Sequence, residues 1–136
     1  MAHILALRGL SNSGKTTTLR LLLERLRAKY PGATVEDLHP GTKDIKVILR
    51  GVKGKIVGIE SQGDPSSRLP ASLTEFLKKG CDIIFCACRT RGGTVECIEK
   101  LSSAHRVEFV EKSRVARGRD DVNAEAALVL LRRAGL

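Results

Sequence analysis

Apolar residues recur along the chain in two patterns, short continuous runs and stripes with helical spacing. The stripes predict helices at 16–30, 67–79, 94–102 and 123–133. The runs predict strands at 3–8, 45–50, 55–60, 83–88 and 106–110, with a weaker strand signal at 33–38. Strands that alternate with helices indicate a mainly parallel sheet covered on both faces. We therefore expect a three-layer α/β fold with about five strands.

Two of these runs have features that position them in the sheet. The run Ile-Ile-Phe-Cys-Ala-Cys at 83–88 is the most apolar in the chain, which predicts a central strand. Gly-Val-Lys-Gly at 51–54 separates two other runs and predicts a β-hairpin over 45–60. The length of 136 residues fits one domain over 1–136.

A glycine-rich segment lies between the first predicted strand and the first predicted helix. It reads Gly-Leu-Ser-Asn-Ser-Gly-Lys-Thr over 9–16 and matches G-x-x-x-x-G-K-[ST] in the strand–loop–helix setting that this motif requires. Glycines allow close approach of the backbone to a ligand, and N–H groups at a helix N-terminus form an anion-binding nest. Lys15 adds a charge for the β- and γ-phosphates, and the Thr16 hydroxyl is placed to ligate Mg²⁺. The residues expected to contact a nucleotide are Gly9, Ser11, Asn12, Ser13, Gly14, Lys15, Thr16 and Thr17.

Through this motif, called Walker A, the sequence resembles the P-loop NTPases over positions 3–17. The resemblance implies a domain that binds a nucleoside triphosphate with Mg²⁺. The hairpin followed by Glu-Ser-Gln-Gly at 60–63 is also similar to the hairpin and D-x-x-G of small GTPases, with Glu60 in place of the aspartate. The guanine-reading N/T-K-x-D motif is absent, since the nearest segment, 110–113, does not match. We therefore expect ATP rather than GTP.

Proteins of this class carry an acidic residue after an apolar strand, where it holds Mg²⁺ or orients the attacking group. Two residues are candidates: Glu60, at the end of the strand over 55–60, and Asp64, four positions further. The usual pattern has aspartate at the strand end, so this chain departs from it. Asp64 has an alternative role as the cap of the turn before Pro65. The predicted metal site thus consists of Thr16 with Glu60 or Asp64.

Basic residues collect in the segments that should follow the parallel strands, where ligands of open α/β sheets bind. Arg89 and Arg91 lie after the central strand and are candidates to neutralise charge on a transferring phosphoryl group. The predicted catalytic set is therefore Lys15, Glu60, Arg89 and Arg91. The alternative for both arginines is a solvated surface position. Lys112 and three more arginines, at 114, 117 and 119, follow the last predicted strand. Their segment is either a lid or adenine-side clamp or a solvated loop, and the solvated loop is favoured because basic residues are common in surface loops.

Composition narrows the remaining choices. The net charge of +9, from 24 basic and 15 acidic residues, favours weak association with nucleic acid or an acidic partner. Aromatic residues make up 3%, which argues against a base-stacking platform. No apolar run reaches the roughly 18 residues of a membrane-spanning helix, and no secretory signal is evident, so we expect a cytoplasmic protein. The four cysteines, within 81–97, lack paired zinc-site spacing and are expected to be reduced.

Three functions fit these features. The first is a Mg²⁺-dependent NTPase or kinase-like phosphotransferase. The second is a nucleotide-dependent switch or binding module with little catalysis, in which the segment at 60–68 changes with the bound nucleotide. The third is nucleic-acid association through the basic surface, which is compatible with either of the others.

Overall fold

The computed structural model describes residues 1–10, 13–41, 43–63, 67–112 and 120–136. The strands are β1 (His3–Arg8), β2 (Thr34–Asp37), β3 (Lys46–Val52), β4 (Lys55–Glu60), β5 (Ile83–Cys88) and β6 (Arg106–Glu111). The helices are α1 (Lys15–Lys29), α2 (Leu69–Lys78), α3 (Gly93–Glu99) and α4 (Asp120–Ala134), with a 3-10 turn at Lys100–Ser103. Each element overlaps one that the sequence pattern predicts.

The six strands form one sheet in the order β2-β3-β4-β5-β1-β6. Strand β1 pairs in parallel with β5 and β6, and β4 pairs in parallel with β5. Strand β3 is antiparallel to β2 and β4. All six residues of β5 are buried, which confirms its predicted central position. The sheet has one strand more than expected, because the weak signal at 33–38 does form β2.

Helices cover both faces of the sheet, as the three-layer prediction requires. Leu5, Leu7 and Phe85 point to one face, where they pack with leucines of α1 and α4. Ile4 and Ile84 point to the other face, where they pack with α2 and α3. This division follows from the two-residue period of a strand, which sends neighbouring side chains to opposite faces. The mixed α/β architecture is therefore fixed by two separate apolar clusters.

The predicted hairpin is present and determines which residues reach one edge of the sheet. Its turn lies at Lys53 and Gly54, and the register shifts between Arg50 and Val52. At the opposite end of the hairpin Lys46 pairs with Glu60. Because β3 is antiparallel to β4, the residues just before β3 lie beside the carboxyl end of β4. That edge also holds the carboxyl ends of β1, β5 and β6.

Helix α4 begins three residues earlier than predicted. Asp121 and Asn123 therefore lie inside the helix, where neither can cap its N-terminus. Asn123 is instead buried, and its side-chain oxygen lies 3.4 Å from the hydroxyl of Thr18 in α1. Burial against α1 therefore takes the place of a capping role.

Candidate phosphate-binding site

The segment between β1 and α1 lies at the carboxyl edge of the sheet. The Gly9 N–H donates to the Cys88 carbonyl at 3.1 Å, which extends the pairing of β1 with β5 by one residue. Gly14 has a φ of 89°, in the left-handed region that favours glycine. A Cβ there would lie 2.5 Å from Asn123 Oδ1, so any other residue at this position would also displace the Asn123 side chain. Ser11 and Asn12 lie outside the described residues.

The Lys15 side chain is buried against the backbone of this loop. Its ammonium donates to the Gly9 carbonyl at 2.6 Å and to the Leu10 carbonyl at 2.8 Å. The neighbouring Ser13 hydroxyl is buried and has no hydrogen-bond partner among the described residues. A buried hydroxyl without a partner costs about 1–3 kcal/mol, so the loop has polar capacity that an oxygen-rich ligand would satisfy.

Thr16, in the first turn of α1, faces a carboxylate that the sequence analysis did not select. Its hydroxyl lies 3.4 Å from Asp44 Oδ1, and the Ser61 hydroxyl donates to the same oxygen at 3.0 Å. The Gln62 amide lies 3.4 Å from Asp44 Oδ2. The Ile45 N–H donates to Ser61 Oγ at 2.8 Å, which orients that hydroxyl. Three separate segments thus bring hydroxyl and carboxylate oxygens together beside the loop.

The sequence pattern did not predict Asp44, because the expected acid follows an apolar strand, whereas Asp44 precedes one. The signal that could have found it was the hairpin. If β3 is antiparallel to β4, then the residue before β3 shares an edge with the residue after β4. The predicted hairpin over 45–60 therefore already placed position 44 beside position 61.

Glu60 is buried on the other face of the sheet. Its two carboxylate oxygens accept from Arg68 Nε at 2.6 Å and Arg68 Nη2 at 3.0 Å. They also accept from the Ser72 hydroxyl at 2.6 Å and from the Gln62 N–H at 3.1 Å. The hydrogen bond with Glu60 raises the pKa of Arg68. The structure thus brings Asp44, and not Glu60, into contact with Thr16, while Asp64 lies outside the described residues.

The predicted arginines follow β5 at the expected edge. The Arg89 N–H donates to the Thr94 hydroxyl at 3.3 Å, which ties the segment to the start of α3. Arg91 is exposed, as is Thr17 in α1. A phosphoryl-stabilising role for Arg89 and Arg91 stays a prediction. Arg114, Arg117 and Arg119 lie outside the described residues.

Two further residues contact the loop. Lys112, which follows β6, donates from Nζ to the Ser13 carbonyl at 2.8 Å, and burial lowers its pKa. Asn123, on α4, packs against Gly14 and Thr18. The sequence placed Lys112 in a segment that is either a lid or adenine-side clamp or a solvated loop, and it did not predict contact with the loop over 9–16. The parallel pairing of β6 with β1 is the signal that places the residue after β6 beside the loop.

The oxygen groups at this edge fit a triphosphate with Mg²⁺. Mg²⁺ prefers oxygen ligands and is usually held by one or two carboxylates together with substrate phosphates and water. Asp44 supplies such a carboxylate next to the Thr16 hydroxyl. Within the described ranges, no group of three or more His, Cys, Asp or Glu side chains converges on one point.

The four cysteines carry free thiols on or near the α2–α3 side. Burial raises the pKa of Cys81 to about 11 and of Cys88 to about 12. Burial also raises the pKa of Cys86. A thiol is a nucleophile only as thiolate, so these three groups are unreactive near neutral pH.

Among the described residues, the helices are too short or too polar to span a membrane.

The arrangement defines an α/β fold like that of the P-loop proteins, with a strand–loop–helix site at the carboxyl edge. The solution structure of a human cancer-related nucleoside triphosphatase is similar to this chain. The two share 14% sequence identity and a TM-score of 0.51, with 100% of each chain covered. At this identity the likeness concerns the fold alone, which is NTPase-like. No protein-family model matches the chain, and no curated protein matches its sequence.

Proposed function

We propose that this chain is a Mg²⁺-dependent nucleoside-triphosphate-binding protein that acts as a small NTPase or kinase-like phosphotransferase. The observation that carries the proposal is the contact of Thr16 with Asp44 beside a G-x-x-x-x-G-K-T loop. The loop supplies anion-binding N–H groups and an ammonium, and the pair supplies oxygen ligands for the cation. The nucleoside triphosphatase of similar fold supports the same class of ligand.

Each residue of the site has a role in this proposal. Lys15 and the N–H groups of the loop, including those of Ser11, Asn12 and Ser13, hold the β- and γ-phosphates. Thr16 and Asp44 hold Mg²⁺, which neutralises charge between the phosphates when it is bound. Ser61 keeps the Asp44 carboxylate oriented toward Thr16. Asp64 stays a second candidate for the acid.

We further propose that Glu60 positions Gln62 and Arg68 rather than ligating the metal. Its oxygens already accept four hydrogen bonds from Arg68, Ser72 and Gln62. Arg89 and Arg91 are proposed to neutralise transferring charge from the neighbouring loop. ATP is the proposed nucleotide, and the cytoplasm is the proposed compartment.

A nucleotide-dependent switch is the second candidate, and the contacts of Gln62 favour it. Its amide nitrogen lies 3.4 Å from Asp44 Oδ2, and its amide oxygen accepts from the Arg68 N–H at 3.1 Å. Asp44 is thereby linked through one side chain to the residue that precedes α2. A change at the metal site would reach α2 by this route. Weak, salt-dependent association with nucleic acid through the +9 charge is compatible with either candidate.

The test is calorimetric titration with ATP and GTP, each with and without Mg²⁺. Lys15→Ala is compared with Lys29→Ala, which removes a lysine from the far end of the same helix. We expect Mg²⁺-dependent binding of ATP to the wild type and to Lys29→Ala, and its loss in Lys15→Ala. A wild type that binds neither nucleotide would contradict the proposal.

Phosphate release then separates the two candidates. Turnover that Lys15→Ala abolishes supports the enzyme. Tight binding without turnover, in water or with any phosphate acceptor tried, supports the switch.

A further inference from the structure

We propose that Lys112 is a positioning residue of the phosphate loop, which holds the Ser13 carbonyl so that the Gly14 N–H faces the bound phosphate. This inference rests on the proposed function and deepens it. Lys112 comes from the end of β6 and is far in sequence from the loop it contacts. In this role Lys112 orients the backbone of the loop and does not contact the nucleotide.

Lys112 is fixed at both ends. Its N–H donates to the Arg8 carbonyl at 2.7 Å, which continues the parallel pairing of β6 with β1. Its carbonyl oxygen lies 2.7 Å from where a Cβ of Gly9 would stand, so the two backbones are in close contact. Only 6% of the residue is exposed, and its ammonium ends on the Ser13 carbonyl at 2.8 Å. The side chain therefore spans from the sheet to the last turn of the loop.

The consequence follows from the planarity of the peptide bond. In a trans peptide the carbonyl and the N–H point in opposite directions. When Lys112 holds the Ser13 carbonyl, the N–H of Gly14 in the same peptide unit must point away from Lys112. Gly14 has left-handed geometry, the backbone conformation found in nests of N–H groups that bind anions. Without this ammonium, the peptide is free to rotate and to turn a carbonyl oxygen toward the phosphates.

The two lysines of the site therefore hold different parts of the loop. Lys15 donates to the Gly9 and Leu10 carbonyls at the start of the loop, and Lys112 donates to the Ser13 carbonyl at its end. The main chain of Lys15 belongs to the loop–helix junction, whereas that of Lys112 directly follows β6 and is hydrogen-bonded to Arg8 at the end of β1. Lys112 thus connects the end of the loop to the edge of the sheet at β6.

A residue after β6 has one competing role, which is contact with the base of the nucleotide. Inorganic tripolyphosphate separates the two roles because it has phosphates and no base. A positioning role predicts the same loss of affinity for tripolyphosphate and for ATP. A base-contacting role predicts a loss for ATP alone.

The experiment is titration of the full chain with tripolyphosphate and with ATP, both in Mg²⁺. Lys112→Met removes the donor, and Lys29→Met is the matched control in α1. Partners that orient metal-ligating groups typically contribute about 10–100-fold to affinity, and by the same logic we expect Lys112→Met to weaken both ligands by about tenfold or more. Lys112→Arg keeps a cationic donor and is expected to restore part of the affinity, which also guards against a methionine variant that does not fold.

A second measurement reports the orientation of the peptide unit between Ser13 and Gly14. The amide resonance of Gly14 in the ligand-free protein is expected to shift in Lys112→Met and to stay in place in Lys29→Met. Unchanged tripolyphosphate affinity in a folded Lys112→Met, or a loss confined to ATP, would overturn the positioning role alone. A wild type that binds neither ligand would overturn the proposed function, and the positioning role with it.

Discussion

Two carboxylates flank the end of β4, and their surroundings differ completely. Glu60 is fully buried on the α2 side and accepts hydrogen bonds from Arg68, Ser72 and the backbone. Asp44 lies on the α1 side, with the hydroxyls of Thr16 and Ser61. Glu60 and Ser61 are consecutive, so the two-residue period of the strand sends them to opposite faces. The face of the strand, more than proximity to its end, decides which acid reaches the loop between β1 and α1.

The two carboxylates also differ in how easily their hydrogen bonds can be replaced by other contacts. A buried carboxylate paired with arginine is costly to disrupt, since the remaining charge has no solvent. Hydroxyl contacts at 3.0–3.4 Å are weaker and can be traded for a cation. Disruption of the Glu60 side should therefore change stability, and disruption of the Asp44 side should change ligand affinity.

The largest expected effect is on the α2 side. Arg68→Ala leaves the Glu60 carboxylate buried without its cation, and the free energy of unfolding should fall by about 3 kcal/mol. Equilibrium unfolding in urea measures this loss of stability. Arg50→Ala is the control, because Arg50 and Glu36 form an exposed pair that should matter little. Equal destabilisation by the two variants would show that the buried pair has no special role.

The next effect is on the α1 side. Asp44→Ala should weaken binding of ATP in Mg²⁺ by at least about tenfold, since loss of groups that merely support a metal ligand already costs that much. Stability should change little. Asp37→Ala removes an exposed carboxylate nearby, whose Oδ1 accepts from the His39 N–H, and serves as control in the same titration. If Asp44→Ala lowers the free energy of unfolding as much as Arg68→Ala does and leaves the affinity for ATP unchanged, the assignment of the two sides is wrong.

A smaller effect is expected from Ser61→Ala. The variant removes one hydrogen bond to Asp44 and one acceptor for the Ile45 N–H, together about 1–3 kcal/mol of stability. Affinity for ATP in Mg²⁺ should fall several-fold, less than in Asp44→Ala, because the carboxylate remains. Ser102→Ala, at an exposed hydroxyl, is the calorimetric control. An affinity loss as large as that of Asp44→Ala would indicate that Ser61 itself binds the ligand.

The smallest expected effect is a change in the reactivity of the Cys86 thiol, which reports whether the α2 side of the sheet has become accessible to solvent. Cys86 pairs with Glu60 in the register of β4 and β5, and burial raises its pKa. Alkylation needs the thiolate, so at pH 8 Cys86 should label slowly in the wild type, and its rate should rise as pH rises toward the elevated pKa. Arg68→Ala should accelerate labelling at pH 8, and Asp44→Ala should not. Equal rates in the two variants, read by mass spectrometry, would contradict the separation of the faces.

The sequence was sufficient for much of the fold because local signals agreed. The runs at 3–8 and 83–88 and the leucine stripe of α1 each fitted one element, and β1 and β5 have the predicted bounds. The loop over 9–16 was recognisable because its glycines and lysine have a fixed spacing next to a strand and a helix. These features depend on residues close together in the chain.

The partners of the loop depend on contacts across the chain, and local spacing does not report them. Asp44 meets Thr16 only because β3 is antiparallel to β4, and Lys112 meets Ser13 only because β6 lies beside β1. Glu60 satisfied the expected position at a strand end, but its side chain faces α2, where Arg68 and Ser72 are located. Strand order and facing, which the local pattern leaves open, decide these roles.

The most direct test of the central claim is the Mg²⁺ dependence of ATP affinity in Asp44→Asn and Glu60→Gln. The two substitutions make the same change, a carboxylate to its amide, on opposite faces of the sheet at one edge. We predict that Asp44→Asn loses the enhancement of ATP binding by Mg²⁺ and that Glu60→Gln keeps it. An enhancement that survives in Asp44→Asn and disappears in a folded Glu60→Gln would contradict the account.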